Sequence, residues 1–368
     1  MFSDHLEELR EFLKEPNGTK EVNVVVMPDF FLDRLISVNS DVTAFSKLMK
    51  RVAERKGGSI DGIRQVELRG GNAVNTASAL ATLNAKVTPI VCTSQLGLQL
   101  IKLCFKSLEL DFSHIKIFDK TSITTAIEFE TGNGKTNVML RDIGALASFG
   151  PHHLNKEDFK TIEDADYICV FNWAGTRLFG TELVETVFSH AKDRGKGKTY
   201  YDTADPTPNE EGVPKLVERV LRKKLVDILS VNESEAFCYA SQLSDEAEEL
   251  RKSLKFDELA KECARILASH LSARIDLHTT SYSASFTKKS EVVVPAFNVP
   301  VLRATGAGDA WNAGNILGDD HGLSDDCRLT LANAVAAYYI SNREGNHPTR
   351  KQLTKFCEKL NKNLIGSH

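Results

Sequence analysis

The sequence predicts an α/β fold built on a mostly parallel central sheet with helices on both faces. Short runs rich in β-branched residues recur at 21–27 (EVNVVVM), 86–92, 165–171 (ADYICVF), 199–202 and 227–231, each of the kind buried on both faces of a parallel sheet. Helical stretches at 75–83, 97–107, 181–194 and 257–270 are interleaved with them. Strand, helix, strand at this spacing implies right-handed crossovers and therefore a sheet covered on two sides. Ligands of such sheets bind beyond the carboxyl ends of the strands, so the loops that follow strands are where chemistry is expected.

The first strand is preceded by MFSDHLEELREFLKE, an acidic amphipathic helix pattern without the basic and apolar regions of a secretory signal. Residues 33–69 then break the rhythm: a strand (DRLISV), a helix over 42–55, a turn at Gly57 and Gly58, and a strand (IRQVEL). Paired strands projecting from a main sheet form a flap over a cleft. The expected division is a core of residues 1–32 and 70–368 with a lid at 33–69 that carries a helical insertion; a decorative surface insertion would read the same way. A second alternating segment, 124–141, carries a hairpin signal (IEFE-TGNGKT-NVML) with glycine and Asn133 at the turn. The charged stretch 241–255 reads as a solvated connection between helices.

Composition excludes several classes. Forty-six Lys and Arg against 50 Asp and Glu leave a formal charge of -4, so there is no basic surplus to hold nucleic acid or an anionic membrane. No apolar run approaches the roughly 20 residues that span a bilayer. Seven cysteines, an odd number without a C-x-x-C pair, read as free thiols in a reducing, cytoplasmic compartment. His152 and His153 are adjacent and the other histidines are scattered, with no metal-ligand spacing.

The most informative segment is 303–314, RATGAGDAWNAG, which follows an extended run and opens a helical pattern. Gly306, Ala307 and Gly308 are small, so the backbone can approach a ligand and the unpaired first-turn amides, at the positive end of the helix dipole, form an anion site. Asp309 belongs to that first turn. A carboxylate there can take a proton from a hydroxyl attacking a phosphoryl group, while the amides collect charge on the transferred oxygens. An ordinary helix start that uses its glycines for packing shares the pattern. It is not a Walker A loop, because no Gly-Lys-Ser/Thr follows, and it lacks the spacing of dinucleotide folds.

TGAGDAWNAG resembles the carboxyl-terminal signature of the ribokinase-like (PfkB) carbohydrate kinases, and GGNAVNTASALATL (70–83) resembles their amino-terminal one. Asp-x-x-Asp-Pro at 202–206, N-x-x-E at 232–235 and ANAVAA at 332–337, followed by GNHPT, fall in the same order, so the likeness covers about residues 22–355. The resemblance implies a three-layer α/β/α ribokinase-like fold with a small β-lid, and transfer of the terminal phosphoryl of a nucleotide to a sugar-like hydroxyl. It implies Asp309 as base, the amides of Gly306, Ala307 and Gly308 as anion hole, and Asp33 as a substrate carboxylate able to accept from two hydroxyls. Gly70, Gly71 and Asn75 join Asp33 in the expected acceptor site; a packed helix start capped by Asn72 is the alternative for that segment.

Asn232 and Glu235, three apart and on one helical face, are the expected site of Mg²⁺, held by Glu235 through water beside the phosphates of ATP; an N-cap with a capping-box Glu is the plainer reading. Asn333, in the ANAVAA segment, is placed with the nucleotide. Arg141 matches a position where relatives that bind acidic or phosphorylated sugars carry arginine, with a surface ion pair as the alternative. Asn172, Trp173 and Arg177 follow a strand on the proper edge, where Trp173 either packs or stacks on sugar. Lid strands in this family pair between protomers, so a homodimer is expected.

The chain departs from the family pattern twice. Arg303 stands where relatives carry an acidic ligand for an activating monovalent cation, so no potassium site of that kind is expected. LHTTSYSASF (277–286) replaces the glycines of the usual nucleotide-receiving turn, leaving the hydroxyls of Thr279, Thr280 and Ser281 to meet the donor. The readings that remain are a kinase acting on a carbohydrate with ATP, a nucleoside kinase of the same fold, and a non-catalytic relative that binds sugar or nucleotide. A dehydrogenase is disfavoured, because MPDFFLD stands where its fingerprint would be.

Overall fold

The computed structural model describes residues 2–14, 21–108, 110–132, 134–303, 305–342 and 344–365. Asn133, at the expected hairpin turn, and Ala304, in the glycine-rich signature, lie outside the described residues. In chain order the elements are α1 (Phe2–Lys14), β1 (Asn23–Met27), β2 (Phe31–Ser37), α2 (Val42–Glu54), β3 (Arg64–Gly70), α3 (Asn72–Thr82), β4 (Lys86–Pro89), β5 (Cys92–Ser94), α4 (Gln95–Cys104) and β6 (Lys116–Phe118). There follow β7 (Ser122–Thr131), β8 (Gly134–Asp142), α5 (Lys156–Asp164), β9 (Tyr167–Phe171), α6 (Gly180–Arg194), β10 (Lys198–Asp202), α7 (Val213–Arg219) and β11 (Ile228–Val231). The last are α8 (Glu233–Leu243), α9 (Glu246–Arg251), α10 (Phe256–His270), β12 (Arg274–His278), β13 (Tyr282–Phe286), β14 (Glu291–Pro295), α11 (Ala307–Asp320), α12 (Asp325–Ile340) and α13 (Arg350–Ile365).

The central sheet runs β14-β13-β12-β11-β10-β9-β1-β4, parallel from β4 to β12 and antiparallel only across β12, β13 and β14. Alternate residues of β1 enter different cores. Val25 and Met27 pack with α6, α8 and α10, whereas Val24 and Val26 pack with α1, α3, α11 and α12. A strand whose two faces are both covered has no polar side to alternate, which is why it reads as a continuous apolar run. The result is a three-layer α/β/α domain around a mostly parallel central sheet. Among the described residues no helix is long and apolar enough to cross a membrane, and all seven cysteines are free.

A separate four-stranded sheet has the order β3-β2-β7-β8. It is wider than the expected 33–69, because the hairpin at 122–142 docks beside β2, with Asp33 opposite both Leu68 and Thr124. A two-stranded 33–69 unit would leave β2 as an open edge. The expected strand at 86–92 is also split: β4 ends at Pro89, which has no amide for the ladder, and 92–94 pairs instead with 116–118. The stretch 241–255 is not a bare connection. It contains α9, whose Ala247 is fully buried while its charged residues face solvent.

Candidate active site

Two helix starts meet beyond the carboxyl ends of the central strands. α11 begins after Gly306, whose φ of 89° places it in the left-handed region that glycine tolerates; a Cβ there would lie 2.6 Å from the Tyr339 hydroxyl. Helix geometry leaves the amides of Ala307, Gly308 and Asp309 without intrahelical acceptors. Opposite them, α3 opens at Gly71, where φ is 96° and a Cβ would lie 2.9 Å from the Asp29 carbonyl oxygen. No side chain of α3 caps it. Asp29, 43 residues earlier, does so: its Oδ2 accepts from the Asn72 amide at 2.9 Å and its Oδ1 from the Ala73 amide at 2.9 Å. Asn172, itself left-handed at φ 50°, donates to Asp29 Oδ2 at 2.8 Å and fixes its orientation.

Asp309 closes the gap between these helices. Asn72 Nδ2 donates to its Oδ1 at 2.8 Å, and Asn75 Nδ2 donates to its Oδ2 at 2.9 Å. Asp309 is 5% exposed. Burial, then the charges of Asp202 and Asp29, raise its pKa above the ordinary aspartate value against the two asparagine hydrogen bonds. Asn72 and Asn75 are thus positioners of Asp309. The first is not the cap that sequence allowed, and the second meets a carboxylate rather than open pocket.

Asp33 lies on the same side, since the charge of Asp29 acts on both Asp33 and Asp309. Burial raises Asp33 to about 6, against a hydrogen bond from Thr124 and the charge of Arg141. A Cβ on Gly70 would fall 2.1 Å from the Asp33 Oδ2, so the missing side chain at Gly70 accommodates this carboxylate. Gly71 likewise makes room for backbone. The Arg141 guanidinium sits 5.2 Å over the Phe31 ring, on the strand next to Thr124. Arg303 lies 4.8 Å over the Tyr339 ring, and a Cβ on Gly345 would meet its Nη1 at 1.5 Å. Arg69 Nη2 also donates to the Gly345 carbonyl at 3.5 Å, so two positive charges are built in between the 303 and 345 loops. Equal turnover in potassium, sodium and choline salts is the expected outcome, and a severalfold rise in potassium would overturn it.

On the other side of Asp309 are Asp202, Asn232 and Glu235. Asp202 ends β10 and accepts from Asn312 Nδ2 at 2.6 Å. Asn232 and Glu235 form a reciprocal capping box on α8: Asn232 Oδ1 accepts from the Glu235 amide at 3.0 Å, and the Glu235 carboxylate accepts from the Asn232 amide at 2.9 Å. Burial, then Asp202, pushes the Glu235 carboxyl well up. The charges of Asp202 and Asp205 both act on Glu235, yet among the described residues no three acidic, histidine or cysteine side chains converge as a metal cage. Such a corner suits an ion that keeps its waters.

Several expected nucleotide contacts are occupied within the protein. Thr279 Oγ1 donates to the Tyr282 carbonyl at 2.8 Å and accepts from the Ser281 and Tyr282 amides, closing the β12–β13 turn. Ser281 Oγ donates to Asp257 at 2.8 Å, whereas Thr280 is exposed at the tip. Asn333 accepts from Ser283 and Trp311 and donates to the Pro295 carbonyl at 3.1 Å, a clamp with neither end open to a ligand. Trp173 is buried and donates to Thr181, so it packs. Sequence reasoning missed Asp29 and Asn312. The only signal for the first was its place in MPDFFLD directly after a strand.

Residues 39–352 match the family described as pfkB family carbohydrate kinase. A stretch of 108 residues is 32% identical to the uncharacterized sugar kinase YegV of Escherichia coli K12, covering 29% of this chain but only 33% of that protein. Among solved structures, a ribokinase from Cryptococcus neoformans in complex with ADP superposes with a TM-score of 0.66 at 17% identity, covering 91% of this chain and 99% of the other. An adenosine kinase from Sinorhizobium meliloti gives 0.66 at 18% identity over 92% and 99% of the two chains. A nucleoside kinase from Burkholderia thailandensis in complex with inosine gives 0.63 at 14% over 92% and 98%. These structures share the fold, and with the match over 39–352 the chain belongs to the pfkB family of carbohydrate kinases.

Proposed function

We propose that the protein is a phosphotransferase that moves the terminal phosphoryl group of a nucleotide, ATP, to a hydroxyl of a carbohydrate. The observation that carries this reading is the seat of Asp309: in the first turn of a helix whose amides are unpaired, with its carboxylate held from the opposite helix by Asn72 and Asn75. The ionised carboxylate accepts the hydroxyl proton as that oxygen bonds to phosphorus. The bond from phosphorus to the leaving diphosphate oxygen breaks, and its electron pair departs with the diphosphate. The amides of Ala307 and Gly308, turned outward by Gly306, stabilise charge on the transferred oxygens. Hydrated Mg²⁺, when bound, neutralises phosphate charge, and the Asp202 and Glu235 corner is where its waters would be held.

Asp33, supported by Thr124 and flanked by Arg141, is the proposed anchor for acceptor hydroxyls; Gly70 and Gly71 shape that pocket. A carboxyl near 6 gives a pH signature. Above that pH Asp33 is ionised and accepts hydroxyl protons; below it the protonated form loses part of that capacity. The acceptor KM is therefore expected to rise as pH falls through about 6, by about tenfold one pH unit lower, and to be flat there in Asp33→Asn. A coupled assay over a panel of sugars and nucleosides, with ATP and ADP as donors, tests the whole reading. Binding without turnover throughout the panel would favour a non-catalytic sugar or nucleotide sensor instead. Pairing of the small sheets of two copies belongs to the same proposal, supported by the exposed Val138, Met139 and Leu140 on edge strand β8. Light scattering of the purified chain tests that part.

A further inference from the structure

His278 ends β12, and its imidazole has no role in the reaction as described so far. Its ring packs on Trp311, with centroids 5.1 Å apart, and presents the Cε1–Nε2 edge to the start of α11: a Cβ placed on Gly308 would lie 3.3 Å from Cε1 and 3.9 Å from Nε2. Nε2 is buried and has no hydrogen-bond partner among the described residues. A buried polar nitrogen left unpaired is destabilising, and native folds keep few of them. An imidazole can serve as donor there, since the ring nitrogens exchange roles with the tautomer. The groups around it are the unpaired amides of α11 on one side and the carboxylates of Asp202, Glu233 and Asp276 on the others. Burial outweighs those three charges and lowers its pKa, so the ring is neutral and remains a donor without adding charge to the fold. The neighbouring hydroxyls of Thr279 and Ser281 are tied into the turn and to Asp257, which leaves this ring as the polar group of the β12 end that faces the amides.

We propose that His278 is a binding residue for the donor, its imidazole N–H donating to a phosphate oxygen of a nucleoside polyphosphate lying over the amides of Ala307 and Gly308. The inference rests on the kinase reading and adds a contact that the glycine-poor turn at 279–281 does not supply. It is tested by calorimetric titration of the full chain with ADP and with a non-hydrolysable ATP analogue, each with Mg²⁺, in wild type, His278→Phe and His278→Gln.

The phenylalanine variant keeps the ring contact with Trp311 and removes the unpaired nitrogen. It is expected to melt no lower than wild type and to bind both nucleotides about tenfold more weakly. The glutamine variant, which retains an N–H donor, is expected to recover most of that loss. Unchanged affinity in a folded His278→Phe overturns the assignment and leaves the kinase reading standing. A wild type that binds neither nucleotide overturns both. A phenylalanine variant that melts well below wild type, with glutamine failing to restore binding, assigns the ring to packing and also overturns the proposal.

Discussion

Replacing Asp309 with Asn is expected to lower turnover about a thousandfold, with the fold retained. The amide is isosteric with the carboxylate, and one rotation of the Asn72 or Asn75 side chain restores complementary donors and acceptors. Stability should move the other way. Burial, then Asp202 and Asp29, hold the Asp309 pKa well above its unfolded value, so the folded state binds that proton more tightly than the unfolded state does. Below about pH 4 the carboxyl is protonated in both states and costs nothing. As pH rises from there toward the raised value the folded state loses ground, and the deficit is then constant. The variant should therefore melt above wild type at neutral pH, with the difference shrinking toward about pH 4. Steady-state rates with thermal melts across that range check both halves. A variant retaining a tenth of the wild-type rate would remove Asp309 from the role of base.

Parts of this site were legible in sequence and others were not, according to how local their contacts are. Asp309 announced itself because its neighbours are glycines, whose backbone requirements are local: Gly306 must be left-handed and must clear Tyr339. The groups that hold Asp309 are not local. Asn72 and Asn75 lie 237 and 234 residues away, so only packing of α3 against α11 reveals their partner. Asp29 was invisible for the same reason, since it caps a helix that begins 43 residues later.

The central strands were readable because burial on both faces forces apolar runs. The hairpin at 122–142 was readable as a hairpin, but its place beside β2 depends on strand pairing that no local pattern encodes. Gly70 and Gly71 correctly marked a close approach. What approaches is the Asp33 carboxylate and the 29–30 backbone, a distinction that two glycines in a row do not record.

Substituting Arg328 is expected to produce the largest loss of stability in the molecule, about 3–5 kcal/mol in chemical denaturation for Arg328→Met. The side chain is 1% exposed and ties α12 to β12, β13 and α11: it donates to Asp276 at 3.0 Å, to Asp325 at 2.8 Å, to Ser285 at 3.0 Å and to Asn315. Burial alone would raise the Asp276 carboxyl, but Arg274 and Arg328 overcome it and hold it far below the usual range. Its contribution is thus present above about pH 4 and fades only as pH falls through that depressed value. With Arg328 gone, Asp276 keeps Arg274 but loses one of its two arginine partners, and Asn315 loses the donor to its oxygen.

Methionine fills most of the volume, so the loss reports polar pairing rather than a cavity. A double variant with Asp276→Asn should then cost clearly less than the two single changes added, because the second removes the charge that the first strands. Asn315 also donates to Tyr200, which donates to Asn312, the partner of Asp202. If that chain only supports the site, kcat well below the melting temperature should stay within about twofold of wild type, and a large drop in kcat at full folding would instead place the network among the positioning residues of the reaction.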